Sequence, residues 1–334
     1  MRNGKKVIND PCCVVSELLN GVTAAAAGRI IRLPGATAVV RADPKPGKVG
    51  LLIGGGSGHE PLFPGFVGHN MADGAACGHI FTAPTPDVIL AATKALDQGK
   101  GVLYVYGNYA GDNMNFDLAT ELASEEGIST KTVRVWDDVA SAPPDRFADR
   151  RGIAGDLFVI KVAGGVSSVA GSLEEAERVT AKARDNTRSM GVALGPGSIP
   201  GSGEPTFELA DDEIEIGMGL HGERGVSRGK MMRADELVAR ILERILVDLP
   251  FRAGDQVCLL VNDLGATTMM ELLIANRKAH EILRAREIGV HDTVVGSFCT
   301  CQEMSGFSLS LMRLDEELMH YYDLPADSLA FKKM

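Results

Sequence analysis

Lys48-Val49-Gly50-Leu51-Leu52-Ile53, followed at once by Gly54-Gly55-Gly56-Ser57-Gly58-His59-Glu60-Pro61, is the stretch on which the reading of the fold turns. A short apolar run that ends in glycines is a buried strand delivered into a flexible turn. The units that follow repeat this logic. Pro86–Leu96 has helical spacing, with Pro at its start and Gly99 past its end. Residues 101–106 then read as a strand, 114–126 as a helix and 130–136 as a strand. Strands alternating with helices predict an α/β protein whose first domain has a mainly parallel sheet flanked by helices. Ser172-Leu173-Glu174-Glu175 fits a capping box for a helix running to about Arg188.

The rhythm changes after that helix. Gly191, Gly195, Pro196, Gly197, Pro200, Gly201, Gly203 and Pro205 crowd together. A domain boundary is expected there, with residues 1–190 forming an N-terminal α/β domain and 191–334 a smaller C-terminal α/β sandwich. In the second part, 213–220, 256–261, 293–298 and 307–313 look like strands, and 234–247 and 268–286 like helices. No repeat of fixed period is visible.

Length and charge narrow the function. At about 100–200 residues per domain, 334 residues suggest two domains, each able to bury a core. The 44 Asp and Glu exceed the 34 Lys and Arg, giving a net charge of −10. Such a surface does not neutralise phosphate backbones or anionic lipid, so neither nucleic acid nor membrane is an expected partner. The 39 glycines are clustered rather than periodic, which excludes a collagen-like chain. Six cysteines form no CxxC pair and read as reduced thiols. The basic start runs into Asn9-Asp10-Pro11 instead of an apolar segment, so no signal peptide is expected and a cytoplasmic location is.

Three stretches carry candidate chemistry. The Gly54–Glu60 run follows a strand, where ligands of open α/β sheets bind, and its glycines expose backbone N–H groups. It lacks the Lys and Ser/Thr of a P-loop, and His59 stands where GxGxxG needs its last Gly, so neither nucleotide motif is present. Asn108-Tyr109-Ala110-Gly111-Asp112 follows another strand; Asp112 suits both a helix N-cap and a general base. Gly217-Met218-Gly219-Leu220-His221-Gly222-Glu223 presents one His among glycines, and a neutral imidazole offers a lone pair to an electrophile. His59, His69 and His79 recur every ten residues, a spacing that matches no metal motif. Ser57 lies in no GxSxG elbow.

Taken together, Gly54–Pro61, Phe81-Thr82-Ala83-Pro84-Thr85-Pro86-Asp87, Asn108-Tyr109-Ala110-Gly111-Asp112 with Asn115-Phe116, and Gly219-Leu220-His221-Gly222-Glu223 closely resemble the substrate-binding K subunit of dihydroxyacetone kinases. The likeness runs from about Val7 to the last strand, through Val261-Asn262-Asp263-Leu264-Gly265-Ala266-Thr267, Thr300 and Met304-Ser305-Gly306-Phe307-Ser308. It implies that His221 attacks the ketone carbon of a short sugar and holds it as a hemiaminal. It further implies that Gly56 and His59 hydrogen-bond the substrate, and that Asp112 takes the proton of the terminal hydroxyl, with His59 stabilising charge on that oxygen. A reversible covalent bond offsets the few contacts a short ketose can make and rejects glycerol, which has no carbonyl.

The same resemblance implies no cofactor or metal on this chain. Mg-ATP or Mg-ADP is expected on a separate L subunit, recharged by ATP or by a phosphotransferase-system phosphocarrier, and the K subunit is expected to be a homodimer inactive alone. With the sequence ending at Met334, the nucleotide domain is expected on another chain. One position departs from the pattern: many members carry a pocket Lys before the Asn-Tyr-x-Gly-Asp motif, and here it is Gly107. A larger pocket would admit a tetrulose such as erythrulose; Ala83, where some members have Ser, points the same way. Dihydroxyacetone is the first expectation, an erythrulose kinase subunit the second. A ketose-sensing paralogue that acts on transcription is the third.

Overall fold

The computed structural model describes residues 5–202 and 204–334; Met1–Gly4 and Gly203, which enter the leader and boundary readings, lie outside the described residues. The chain forms two compact units. One comprises Val7–Val135, Leu157–Asp185 and Glu317–Met334. The other comprises Trp136–Asp156 and Asn186–Glu316, with Lys5 and Lys6.

In the first unit Gly50–Ser57 lies within a six-stranded sheet. The strand order is Ile30–Arg32, Ala38–Arg41, Gly74–Ile80, Gly50–Ser57, Val102–Gly107, Thr130–Val135. The last four are parallel to one another, and the first two join antiparallel. Leu51, Leu52 and Ile53 are all fully buried, as in a strand covered on both faces. Helices Pro86–Leu96 and Ala110–Glu125 cover one face, packing Ile89, Ala92, Phe116 and Ala119 against Leu52, Tyr104 and Tyr106. The Phe116 and Tyr106 rings stack at 4.1 Å.

The strand does not end at Ile53. It runs through the glycines to Ser57, and these residues are strand rather than turn. The reason is space. A Cβ on Gly54 would lie 2.6 Å from the Ala76 carbonyl oxygen, one on Gly55 2.4 Å from the Phe63 ring, and one on Gly56 2.7 Å from the Thr82 nitrogen. Only Gly58, at φ +105°, takes a left-handed conformation, and the turn begins there.

In the second unit the strand order is Ser227–Lys230, Glu213–Ile216, Thr187–Gly195, Ser305–Leu314, Gln256–Asp263, Gly289–Gly296. Only the last pair is parallel. Helices Ala234–Asp248 and Met269–Ala285 bury Ile241, Ile245, Leu272 and Ala279 against Val192, Leu259, Val261 and Leu309. Among the alternate strand positions are the buried Ser189 and Ser310, which hydrogen-bond through their hydroxyls at 2.6 Å. Thr268 and Glu271 form a full capping box for the second helix.

The single cut expected at 190 differs from this partition. Gly191 and Gly195 sit inside a central strand, and 136–156 joins that strand through Ser189 N–H to the Asp137 carbonyl at 2.8 Å and Val139 N–H to the Ser189 carbonyl at 3.0 Å. Of 213–220, only Glu213–Ile216 is strand, because Gly217 turns the chain at φ +80°. Ser172 accepts from Glu175 N–H at 3.3 Å, but the Glu175 carboxylate reaches back to Gly171 N–H, so the box is displaced by one residue. Its helix ends at Asp185, short of Arg188.

Arg150 grips the Asp248 carboxylate with both terminal nitrogens, at 2.8 and 2.5 Å, and Arg188 Nε adds a contact at 2.6 Å. All three side chains are at least nine-tenths buried. Burial pushes the Asp248 carboxyl up, but the two guanidiniums outweigh it and hold it below its ordinary value. Asp248→Asn leaves two cations without their charge partner, and the expected loss is about 3–5 kcal/mol of stability. Urea unfolding checks this; an unshifted midpoint contradicts it.

Candidate functional site

The glycine strand ends in a tightly tied corner. Ser57 Oγ donates to the Gly78 carbonyl at 2.8 Å, and Phe81 N–H donates to the Ser57 carbonyl at 2.8 Å. Gly58 N–H meets both oxygens of Glu60 at 3.0 and 3.1 Å. Burial raises the Glu60 carboxyl above its ordinary range, and these N–H donors offset that only in part. His59 is 3% exposed and its ring stacks on Phe81 at 4.9 Å. The imidazole is therefore held in place before any ligand arrives.

At the end of the next parallel strand, Val102–Gly107, the chain turns into helix Ala110–Glu125. Its N-cap is Tyr109 and not Asp112, which lies in the first turn and is buried. There the helix dipole favours a negative charge. Asn115 Nδ2 donates to the Pro84 carbonyl at 2.8 Å, and Asn113 Nδ2 to Asn108 Oδ1 at 2.9 Å. The first bond ties the 81–87 and 108–116 motifs together, and the second braces the turn within 108–116. Gly56, His59 and Asp112 thus gather at the carboxyl ends of neighbouring strands, where open α/β sheets bind ligands.

His221 belongs to the other unit. Past Gly217 the chain makes a compact turn, with Gly219 N–H on the Glu223 carbonyl at 2.9 Å and Gly222 N–H on the Gly219 carbonyl at 3.2 Å. The Glu223 carboxylate closes it: Oε2 accepts from His221 N–H at 2.9 Å and Oε1 lies 2.9 Å from His221 Nδ1. Burial acts to raise the Glu223 carboxyl, yet the hydrogen bonds and charge of His221 prevail and bring it to about 2. An ionised carboxylate only accepts, so Nδ1 is the donor in this contact, and in the neutral form of the ring that puts the lone pair on Nε2. That is the tautomer a nucleophilic imidazole needs.

The role of Glu223 escapes a reading of the sequence, although a Glu two residues past a glycine-flanked His was a usable signal. Arg151 and Asp138, which lie against this turn, gave none. Arg151 donates to Asp138 Oδ2 at 3.0 and 2.7 Å. Burial drives the Asp138 carboxyl up to about 6, against the pull of Arg151. Cys301 hydrogen-bonds the Leu220 carbonyl, and burial pushes its thiol up to about 12, so it supports the turn as an inert group. All six cysteines are free, Cys12 and Cys13 being exposed. Among the described residues no cluster of three or more His, Cys, Asp or Glu is placed to hold a metal, and no helix is long and apolar enough to cross a membrane.

Comparison with known proteins follows this geometry. The Dak1 domain matches residues 20–330. The PTS-dependent dihydroxyacetone kinase 1, dihydroxyacetone-binding subunit DhaK, of Listeria innocua is 42% identical over 98% of this chain and 100% of its own length. The D-erythrulose kinase of Mycolicibacterium smegmatis is 40% identical over 98% of this chain and 56% of its own. The crystal structure of the dihydroxyacetone kinase of C. freundii superposes with a TM-score of 0.91 at 30% identity, covering 98% of this chain and 60% of that one. The dihydroxyacetone kinase operon co-activator Dha-DhaQ superposes with a TM-score of 0.89 at 29% identity, over 95% of this chain and 98% of that one.

The depressed Glu223 carboxyl has a consequence for stability. Its folded value of about 2 lies below its ordinary 4.5, so its contribution is fully present above 4.5 and is lost as pH falls toward 2. Wild type is expected to exceed Glu223→Gln in urea midpoint at pH 6, with the gap narrowing below about 4.5. A gap that does not vary with pH contradicts this.

Proposed function

The chain belongs to the Dak1 domain family, and on that footing we propose that it is the ketose-binding subunit of a short-chain ketose kinase, with dihydroxyacetone as substrate. The observation that carries the reading is the Glu223–His221 contact, which leaves an imidazole lone pair on Nε2. The DhaK subunits among its relatives support the choice of substrate.

In this reading Nε2 of His221 forms a bond to the ketone carbon and the carbonyl π pair moves to oxygen, which takes a proton. That proton is balanced by the one Nδ1 gives up, which Glu223 relays to solvent without keeping it, so a neutral imidazole and a neutral ketone become a neutral hemiaminal. Gly56 offers its backbone and His59 a ring nitrogen to the bound sugar. Asp112 accepts the proton of the terminal hydroxyl as that oxygen is phosphorylated, and His59 stabilises the charge. The phosphoryl group comes from a separate L subunit carrying Mg-ATP or Mg-ADP, and the K subunit works as a homodimer.

A tetrulose is the second reading. Its support is Gly107, where a pocket Lys is expected from the resemblance, together with relatives named as erythrulose kinases. The co-activator likeness is outweighed by the presence of both His59 and Asp112, since a sensor needs no general base.

Intact-protein mass spectrometry with dihydroxyacetone is expected to show a ketose adduct on the wild type and none on His221→Ala, with phosphorylation lost in the variant when assayed with an L subunit. A His221→Ala protein that supports full phosphorylation overturns the reading. Gly107→Lys is expected to lower activity on erythrulose more than on dihydroxyacetone; equal losses remove the support for the tetrulose reading.

A further inference from the structure

Arg151 is a largely covered guanidinium, 13% exposed, that the reaction above does not use. Asp138 anchors it through Nε and Nη2, and Nη2 also donates to the Gly217 carbonyl at 3.2 Å. Asp138 is itself fixed by Ala140 N–H on Oδ1 at 3.0 Å and is 1% exposed. With Nε and Nη2 committed, Nη1 faces Glu223 Oε2 at 3.9 Å. One planar group therefore spans the turn that carries His221, touching the residue where it begins and the carboxylate where it closes.

Gly219 shows how tightly these parts converge. A Cβ there would lie 2.2 Å from Glu223 Oε2 and 2.4 Å from Arg151 Nη1. The bare Cα lets carboxylate and guanidinium approach the same point, and no other residue fits without displacing one of them. Asp138, Arg151, Glu223 and His221 form an unbroken chain of charged and polar contacts within a single unit.

We propose that Arg151 is a positioning residue for His221: clamped by Asp138 and the Gly217 carbonyl, it holds the Glu223 carboxylate in the orientation that fixes the neutral imidazole as the Nδ1–H tautomer, with its lone pair on Nε2. The inference rests on the reading of His221 as the ketose-binding group. A second layer that orients a reacting imidazole is the arrangement seen around metal-bound histidines, where its loss costs about 10- to 100-fold. Lysine cannot reproduce it, since a point charge lacks the fork that reaches Asp138, Gly217 and Glu223 at once.

The test has a readout independent of ketose. Imidazole 15N NMR of the ligand-free chain, with the His221 signal assigned by its loss in His221→Ala, is expected to show Nδ1–H in the wild type. Arg151→Met is expected to give a mixture with Nε2–H, and its half-saturating dihydroxyacetone concentration, measured with an L subunit, is expected to rise about 10- to 100-fold, with kcat recovered at saturation. Arg151→Lys is expected to fall short of rescue. If Arg151→Met is too unstable to measure, the Asp138→Asn/Arg151→Met double variant removes the buried charges together and gives the same comparison. An unchanged tautomer and unchanged half-saturation in a folded variant overturn the proposal. A shifted tautomer in a variant whose wild type takes up no ketose supports the positioning role and refutes the proposed function instead.

Discussion

A single carboxylate that meets both the backbone N–H and the ring Nδ1 of one histidine is the contact on which the chemistry proposed for this protein depends. Glu223 gives the His221 imidazole a reason to keep its proton on Nδ1 and gives the turn that presents it a closing hydrogen bond. The electrostatics agree with the geometry: burial acts to raise the Glu223 carboxyl, and the histidine outweighs it. An acceptor kept charged in a partly dry setting is a stronger orienting group than the same carboxylate in water.

On the proposed reading the first unit has a different problem, which is how to present backbone and two polar side chains to a small ligand at the end of a close-packed sheet. Its answer is to crowd the strand so tightly that side chains have no room. Gly54, Gly55 and Gly56 are pressed by Ala76, Phe63 and Thr82, while His59 is pinned on Phe81 and Asp112 on the first turn of its helix. Rigid elements carry the groups, so ligand binding need not order them.

In the second unit the sheet is greasy on one face and polar on the other. Ile241, Ile245 and Leu272 seal the first against Val192, Leu259 and Leu309, and hydrogen bonds satisfy the second: Ser189 with Ser310, and Asn262 with the Phe298 and Cys299 N–H groups. Asp137 takes the Ile153 and Gly155 N–H groups at 2.8 and 2.9 Å, which folds 136–156 onto that polar side and brings Arg151 and Asp138 into the same unit as His221. The Arg150 and Arg188 pair on Asp248 fastens the same segment.

Local pattern made much of this legible. The apolar runs at 50–53, 102–106 and 256–261 and the helical spacing at Pro86–Leu96 declare an α/β protein, because burial on both faces leaves a continuous apolar strand that no tertiary detail can disguise. The motifs around His59, Asp112 and His221 likewise announce themselves through their glycines. Composition did not reveal that the glycines of 54–56 are strand, that the units interleave along the chain, or that Arg151 and Asp138 serve a histidine some seventy residues away. Those depend on which backbone presses on which Cα and which charge meets which carboxylate. Such encounters are set by chain crossings between distant segments, and residue spacing along a single segment carries no record of them.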